Sequence, residues 1–305
     1  MLDRRGFLAG LGALALAGCA RQAPILASPS ATPTPTAKTE FTVVSGTTPI
    51  ELAVRGLLVA ALTSQTTQGV GQDVSSDDAN GNLLDLAELP SGLLVGFART
   101  MINGLSPSKE VADADVLSEL AALVEPGASV LDKTPVDGRL VWAAPKASKL
   151  TSLAQLKDKC HPAKKKTVSL KAGIPAFAAA RGDGVPALTV VYNAVLDTTY
   201  IPSPTQRREA LDDGRVELAA FRACDFAALD GLVQLKDPSG IAQADPMVVL
   251  PNAALPDAQP NAVLSVLAAL GKMDADNLLA LEASAASGQD LASAAVKWLA
   301  GEGLG

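Results

Sequence analysis

Arg181 is the side chain in this 305-residue sequence best placed to do chemistry. It stands in LKAGIPAFAAARGDGVPALTVVYN (Leu170 to Asn193), with no other charge between Lys171 and Asp183. Gly173, Pro175, Gly182, Gly184 and Pro186 punctuate the stretch. They read as a strand ending near Ala172, a loop, and a helix restarting near Pro186, whose fixed φ suits a first helical turn. An Arg in such a loop can present a rigid fork of donors to a ligand carboxylate or phosphate. The same fork can instead pin the loop to a local carbonyl or to Asp183, and spacing leaves both readings open. A second candidate is Gly46-Thr47-Thr48-Pro49, where a strand, a turn and a helix put free backbone N–H groups at a helix start, a place for an anion. It lacks the Gly-Lys-Ser/Thr ending of a phosphate loop.

Other chemistries find little footing. The single histidine, His161, cannot build a multi-His zinc site, and no HExxH or CxxC spacing occurs. Asp77-Asp78-Ala79-Asn80-Gly81 falls short of a calcium loop and reads as a solvated turn. No G-x-S-x-G elbow accompanies His161. The expectation is a protein that is not an enzyme and uses neither metal nor cofactor. A net charge of −7 argues against a nucleic-acid partner, and Lys164-Lys165-Lys166 reads as a solvated loop.

The elements that must position these residues follow from pattern. Residues 1–19 (MLDRRGFLAGLGALALAGC) read as an export signal. Arg4 and Arg5 lead a short apolar core, and Leu16-Ala17-Gly18-Cys19 resembles a bacterial lipobox in which Cys19 is lipidated. Residues 20–40, rich in Pro, Thr and Ser, read as a tether off the membrane. The rest alternates strand and helix: strands at Phe41 to Ser45, Leu140 to Ala144, Thr167 to Leu170, Val216 to Phe221 and Pro246 to Leu250. Helices are expected at Ile50 to Ser64, Leu93 to Ile102, Asp115 to Val124, Lys149 to Lys159 and Thr205 to Leu211. Three more close the chain, at Ala262 to Leu270, Ala275 to Ala286 and Gln289 to Ala300, the last capped by Ser287. This is an α/β pattern.

From Asp132 onward the chain resembles the substrate-binding proteins of glycine betaine, choline and carnitine (osmoprotectant, quaternary ammonium) ABC transporters. The resemblance rests on LDKTPVDGRLVWAAPKASKLTSLAQLKD and on the Arg181 stretch, similar to "P-E-F-x-x-R-x-D-G-x-P-x-L-x-x-x-Y". It continues through Ala210 to Glu217 with Leu232 to Asp237, and through the closing Ala295-Val296-Lys297-Trp298-Leu299. It implies a two-lobed, type II periplasmic-binding-protein-like fold, with each lobe a sheet flanked by helices. Residues 41–143 plus 245–305 would form lobe one and 144–244 lobe two, with crossings near Trp142 and Asp245. A ligand would bind between the lobes, and closure would present them to a membrane permease.

Residue by residue, the resemblance gives Arg181 the role of carboxylate clamp. At Ser45 to Ile50, similar to "S-K-x-F-T-E", Gly46 stands for the Lys and Ile50 for the Glu, leaving Thr47 and Thr48 as ligand contacts. At Leu94-Val95-Gly96-Phe97 only Gly96 of "Y-T-G-T" survives. Asp225, in Phe221-Arg222-Ala223-Cys224-Asp225, falls near the family's "T-x-D". Quaternary ammonium groups carry no N–H and are held by aromatic faces. Aromatics are only 3% of this chain, and the candidate cage is Phe97 and Phe221, with Tyr200 beside them. Cys160 and Cys224 both fall in the expected lobe two, and export makes a disulfide between them an expectation. The leading reading is a monomeric, lipid-anchored receptor on the extracytoplasmic face of the cell membrane. It would deliver an osmolyte-like small molecule, or a carboxylate relative, to an ABC importer. The alternative is a sensory or binding lipoprotein that keeps the fold but has lost quaternary-ammonium uptake.

Overall fold

The structure is a computed structural model and describes residues 41–65, 72–75, 79–107, 109–163, 166–287 and 290–304. The expected export signal, Cys19, the tether, Asp77-Asp78 and Lys164-Lys165 lie outside the described residues. Among the described residues, ten strands run in chain order as β1 (Thr42–Ser45), β2 (Gln72–Ser75), β3 (Gly92–Phe97), β4 (Asp132–Asp137), β5 (Leu140–Ala144), β6 (Leu170–Ile174), β7 (Leu196–Tyr200), β8 (Leu218–Arg222), β9 (Val233–Gln234) and β10 (Pro246–Pro251). They form two five-stranded sheets, ordered β2-β1-β3-β10-β4 and β7-β6-β8-β5-β9. In each, three parallel strands are followed by one that runs antiparallel to them, and the edge strand beyond it reverses direction again. The fold is thus mixed α/β with two helix-flanked sheets, and the chain changes sheet between β4 and β5 and again between β9 and β10.

Alternation along the strands builds a core on each face of sheet one. Val43, Val95, Met247 and Val249 enter one cluster, while Val44, Leu94, Val248 and Leu250 enter the other. The helix Pro49–Gln65 is apolar on nearly every side because it is enclosed. Ile50, Val54, Leu57 and Leu58 share one cluster with Val266, Leu278 and Leu299 from the three C-terminal helices. That run, Leu93-Leu94-Val95, is also why a helix expected at Leu93 to Ile102 is half strand. β3 is buried along its whole length, and periodicity cannot separate a two-face-buried strand from a buried helix. The helix proper begins at Ala98. At the C-terminus Asp290 caps the last helix, accepting from the N–H groups of Ala292 and Ser293, in place of the expected Ser287.

The crossings lie side by side. Gly138 donates its N–H to the carbonyl of Asp245 (2.8 Å), and the N–H of Asp245 reaches Asp137 Oδ1 (3.1 Å). Since β5 already belongs to the second sheet, lobe two starts at Leu140 rather than at residue 144, and Trp142 is part of its core. The expected disulfide does not form. Cys160 is buried in the lobe-two cluster around Leu153, Leu156 and Leu188, whereas the thiol of Cys224 packs into the lobe-one cluster, and both are free. The loop after β8 therefore reaches out of lobe two and inserts into lobe one.

Candidate functional site

The two sheets face a cavity of about 720 Å³, within the range typical of small-molecule sites. Lobe one supplies Gly46, Thr47, Thr48, Glu51 and the segment around Phe97 and Thr100. Lobe two supplies Pro175 to Phe177, Arg181, Tyr200 and Arg222, with Gln243 beside the second crossing. Thr47, Thr48, Phe97 and Arg181 from the sequence-derived set come together here. Phe221 and Asp225 do not. Phe221 is wholly buried among Ala210, Leu211 and Leu229, on the lobe-two face away from Trp142, with the Arg207 guanidinium 5.3 Å from its ring centre. Asp225 is buried behind the cleft, where Oδ2 accepts from the Arg222 N–H (2.9 Å) and from Arg207 (3.4 Å).

Arg181 has its own partners. Nε and Nη2 grip Asp183 in a bidentate pair (2.8 and 2.6 Å), and Nη1 donates to Asp245 (2.7 Å). Burial opposes its charge, but Asp245 and Asp183 outweigh that and raise its pKa. The fork assigned to a ligand carboxylate is spent on the loop and the crossing, so of the two readings the pin is the one this geometry supports.

Asp245 is the centre of this network. Oδ1 accepts from the backbone N–H groups of Arg99 (2.8 Å) and Thr100 (3.2 Å), capping the helix Ala98–Leu105 from across the chain. Oδ2 accepts from the Thr100 hydroxyl (2.8 Å), Arg181 (2.7 Å) and Arg222 (3.1 Å). Burial alone would raise its pKa; Arg181, Arg222 and Thr100 together bring it below the ordinary value. Thr100 in turn accepts from Arg181 (3.4 Å) and Arg222 (3.2 Å), so both lobe-two arginines bond to lobe one.

Arg222 went unassigned in the sequence, although it sits one residue from Phe221. Its guanidinium lies 3.8 Å from the ring centre of Phe97 and 4.1 Å from that of Phe177. The aromatic pair at the cleft is thereby engaged by a cation of the chain itself. Gly138 makes this possible, since a Cβ there would come within 2.3 Å of the Phe97 ring.

Glu51 was missed as well. It is Gly46 that lets it in: a Cβ at Gly46 would sit 2.3 Å from Glu51 Oε2. That oxygen accepts from the Thr48 hydroxyl (2.6 Å) and N–H (3.3 Å). The Thr48-Pro49-Ile50-Glu51 spacing of a capping box was the available signal. Burial raises the Glu51 pKa despite the pull of Arg222 and of the Thr48 bonds. Tyr192, the tyrosine matched by the resemblance, is structural: its hydroxyl donates to Asp237 and accepts from the Ser239 N–H.

No family profile and no curated protein matches the sequence. The fold is that of the type II periplasmic binding proteins that serve as solute-binding proteins of ABC importers, osmolyte binders among them. One such structure, described as a glycine betaine/carnitine/choline ABC transporter, aligns over 88% of this chain and 99% of its own at TM-score 0.65 and 16% identity. Lactococcal OpuAC, closed and complexed with glycine betaine, aligns over 87% and 96% at TM-score 0.58 and 14% identity. The glycine betaine/L-proline-binding protein ProX from Borrelia burgdorferi aligns over 85% and 92% at TM-score 0.57 and 17% identity.

Proposed function

We propose that this chain is a lipid-anchored solute-binding protein on the extracytoplasmic face of the cell membrane, feeding a small osmolyte-like ligand or a carboxylate relative to an ABC importer. The observation that carries the reading is the cavity of about 720 Å³ between two sheets joined by two hydrogen-bonded crossings. An arrangement of that kind lets one small molecule set the distance between the lobes, which a permease can sense. The lipobox at Leu16 to Cys19 and the tether after it supply the anchor.

The test is a thermal-shift screen of the purified protein against betaines, choline, carnitine, proline and unmethylated amino acids. A ligand at about a hundred times its dissociation constant adds ~2.7 kcal/mol of stability. For a domain this large that is a rise in Tm of about 5 °C or more. No shift with any compound, and no retained small molecule in native mass spectrometry, would remove the receptor reading. Cys19→Ala should move the protein from the membrane fraction to the soluble one.

A further inference from the structure

We propose that the cleft selects small zwitterions or cations whose nitrogen keeps its N–H groups, and discriminates against quaternary ammonium compounds, with Glu51 reading the amine. This deepens the solute-binding reading and rests on it. A quaternary ammonium group has no hydrogen to donate and depends on aromatic faces. Here Phe97 and Phe177 are both stacked on the Arg222 guanidinium. Expelling Arg222 would break its bonds to Asp245, Thr100 and the Gly138 carbonyl, and would leave Asp245 short of one of its two cations. A gain from cation–π contact has to exceed the loss of a buried ion pair, and it is the smaller of the two.

The cleft offers a different pair of contacts. Glu51 is a buried carboxylate lining the lobe-one wall, where Oε2 accepts from Thr48, a neutral partner. An ammonium with N–H groups would give it charge-assisted hydrogen bonds. Across from it the Arg222 cation also lines the cleft, with its Nη atoms already engaged. Its positive charge favours a ligand's acidic or carbonyl oxygen on that side of the cleft. The carboxylate and the guanidinium are near enough for Arg222 to pull on the Glu51 pKa. Together they suit a molecule that has an amine at one end and an acid or carbonyl oxygen at the other.

The experiment is calorimetric titration of the purified protein with matched pairs that differ only in N-methylation: glycine through sarcosine and dimethylglycine to glycine betaine, ethanolamine against choline, and 4-aminobutyrate against its trimethyl analogue. The N–H member of a binding pair should be tighter by about 10²-fold or more, as for a site built to meet an N–H donor. Glu51→Gln, which keeps an oxygen for Thr48 but loses the charge, should erase most of that preference. If the trimethylated members bind as well or better, or if Glu51→Gln leaves the preference intact in a folded variant, the assignment is wrong while the receptor reading stands. If no compound of these pairs or of the wider screen binds at all, both fall together.

Discussion

Asp245 and Asp225 are both wholly buried aspartates, each within reach of two arginines, yet their acidities move in opposite directions. Asp245 collects five donors over its two oxygens. Asp225 collects the Arg222 N–H and a long contact from Arg207, and its Oδ1 has no partner. Burial raises the pKa of both, and the donor set decides which stays easily ionised. Arg207 records the same poverty from the other side, since burial brings its pKa down to about 10. Buried charge in this protein is organised where the lobes cross and under-supplied behind the cleft.

The largest test of that contrast is a pair of isosteric substitutions. Asp245→Asn should destabilise the protein by about 3–5 kcal/mol, because it takes the carboxylate from the buried Arg222 and leaves Arg181 with Asp183 alone. Asp225→Asn should cost no more than about 1 kcal/mol, since the carboxylate it removes is poorly matched. Urea unfolding of both variants measures this, and equal losses would break the donor-count explanation.

A smaller effect lies in pH dependence. Glu282, on the helix Ala275–Ala286, faces Asp225 and the N–H of Ala227. Burial first, and Asp225 second, raise its pKa from 4.5 to about 7. The folded state thus holds a proton that the unfolded state has released. Its contribution to stability is full below about pH 4.5, declines as pH rises to about 7, and is flat beyond. Asp245 has the opposite sign: its lowered pKa stabilises the neutral-pH fold, and the contribution is lost only in strong acid. Glu282→Gln should recover about 1–2 kcal/mol of the stability lost between pH 5 and pH 8, allowing for solvent screening. An unchanged difference between those two pH values would mean that Glu282 is well solvated.

The smallest expected effect concerns the thiols. With Cys160 and Cys224 free in separate cores, adding a reductant should shift Tm by less than about 1 °C. A fall of several degrees would restore the disulfide.

The alternation of strands and helices made the architecture readable, because short β-branched or apolar runs bounded by turn residues, such as Phe41 to Ser45 before Gly46 and Pro246 to Leu250 before Pro251, point to buried strands. The site was readable only in part. Asp183 lies two residues from Arg181 and was visible as a partner, but Asp245 lies sixty-four residues away, and nothing local announces it. Arg222 could not be placed because its role depends on two rings from different lobes. Glu51 was hidden by a one-residue offset from the motif position at Ile50. Phe221 was assigned to the cleft although strand alternation puts it on the face opposite Trp142 and Ala220, the face that packs against Leu211.

The insertion of Cys224 has a bearing on modularity. A segment that belongs to lobe two by chain order completes the packing of lobe one, with Phe226 packed against the same cluster. Residues 140–244 are therefore not a cassette that could be cut out or exchanged with a relative's. Removing them would leave a thiol-sized hole in the neighbouring core, so specificity in this scaffold is more readily rewritten one side chain at a time than by swapping lobes.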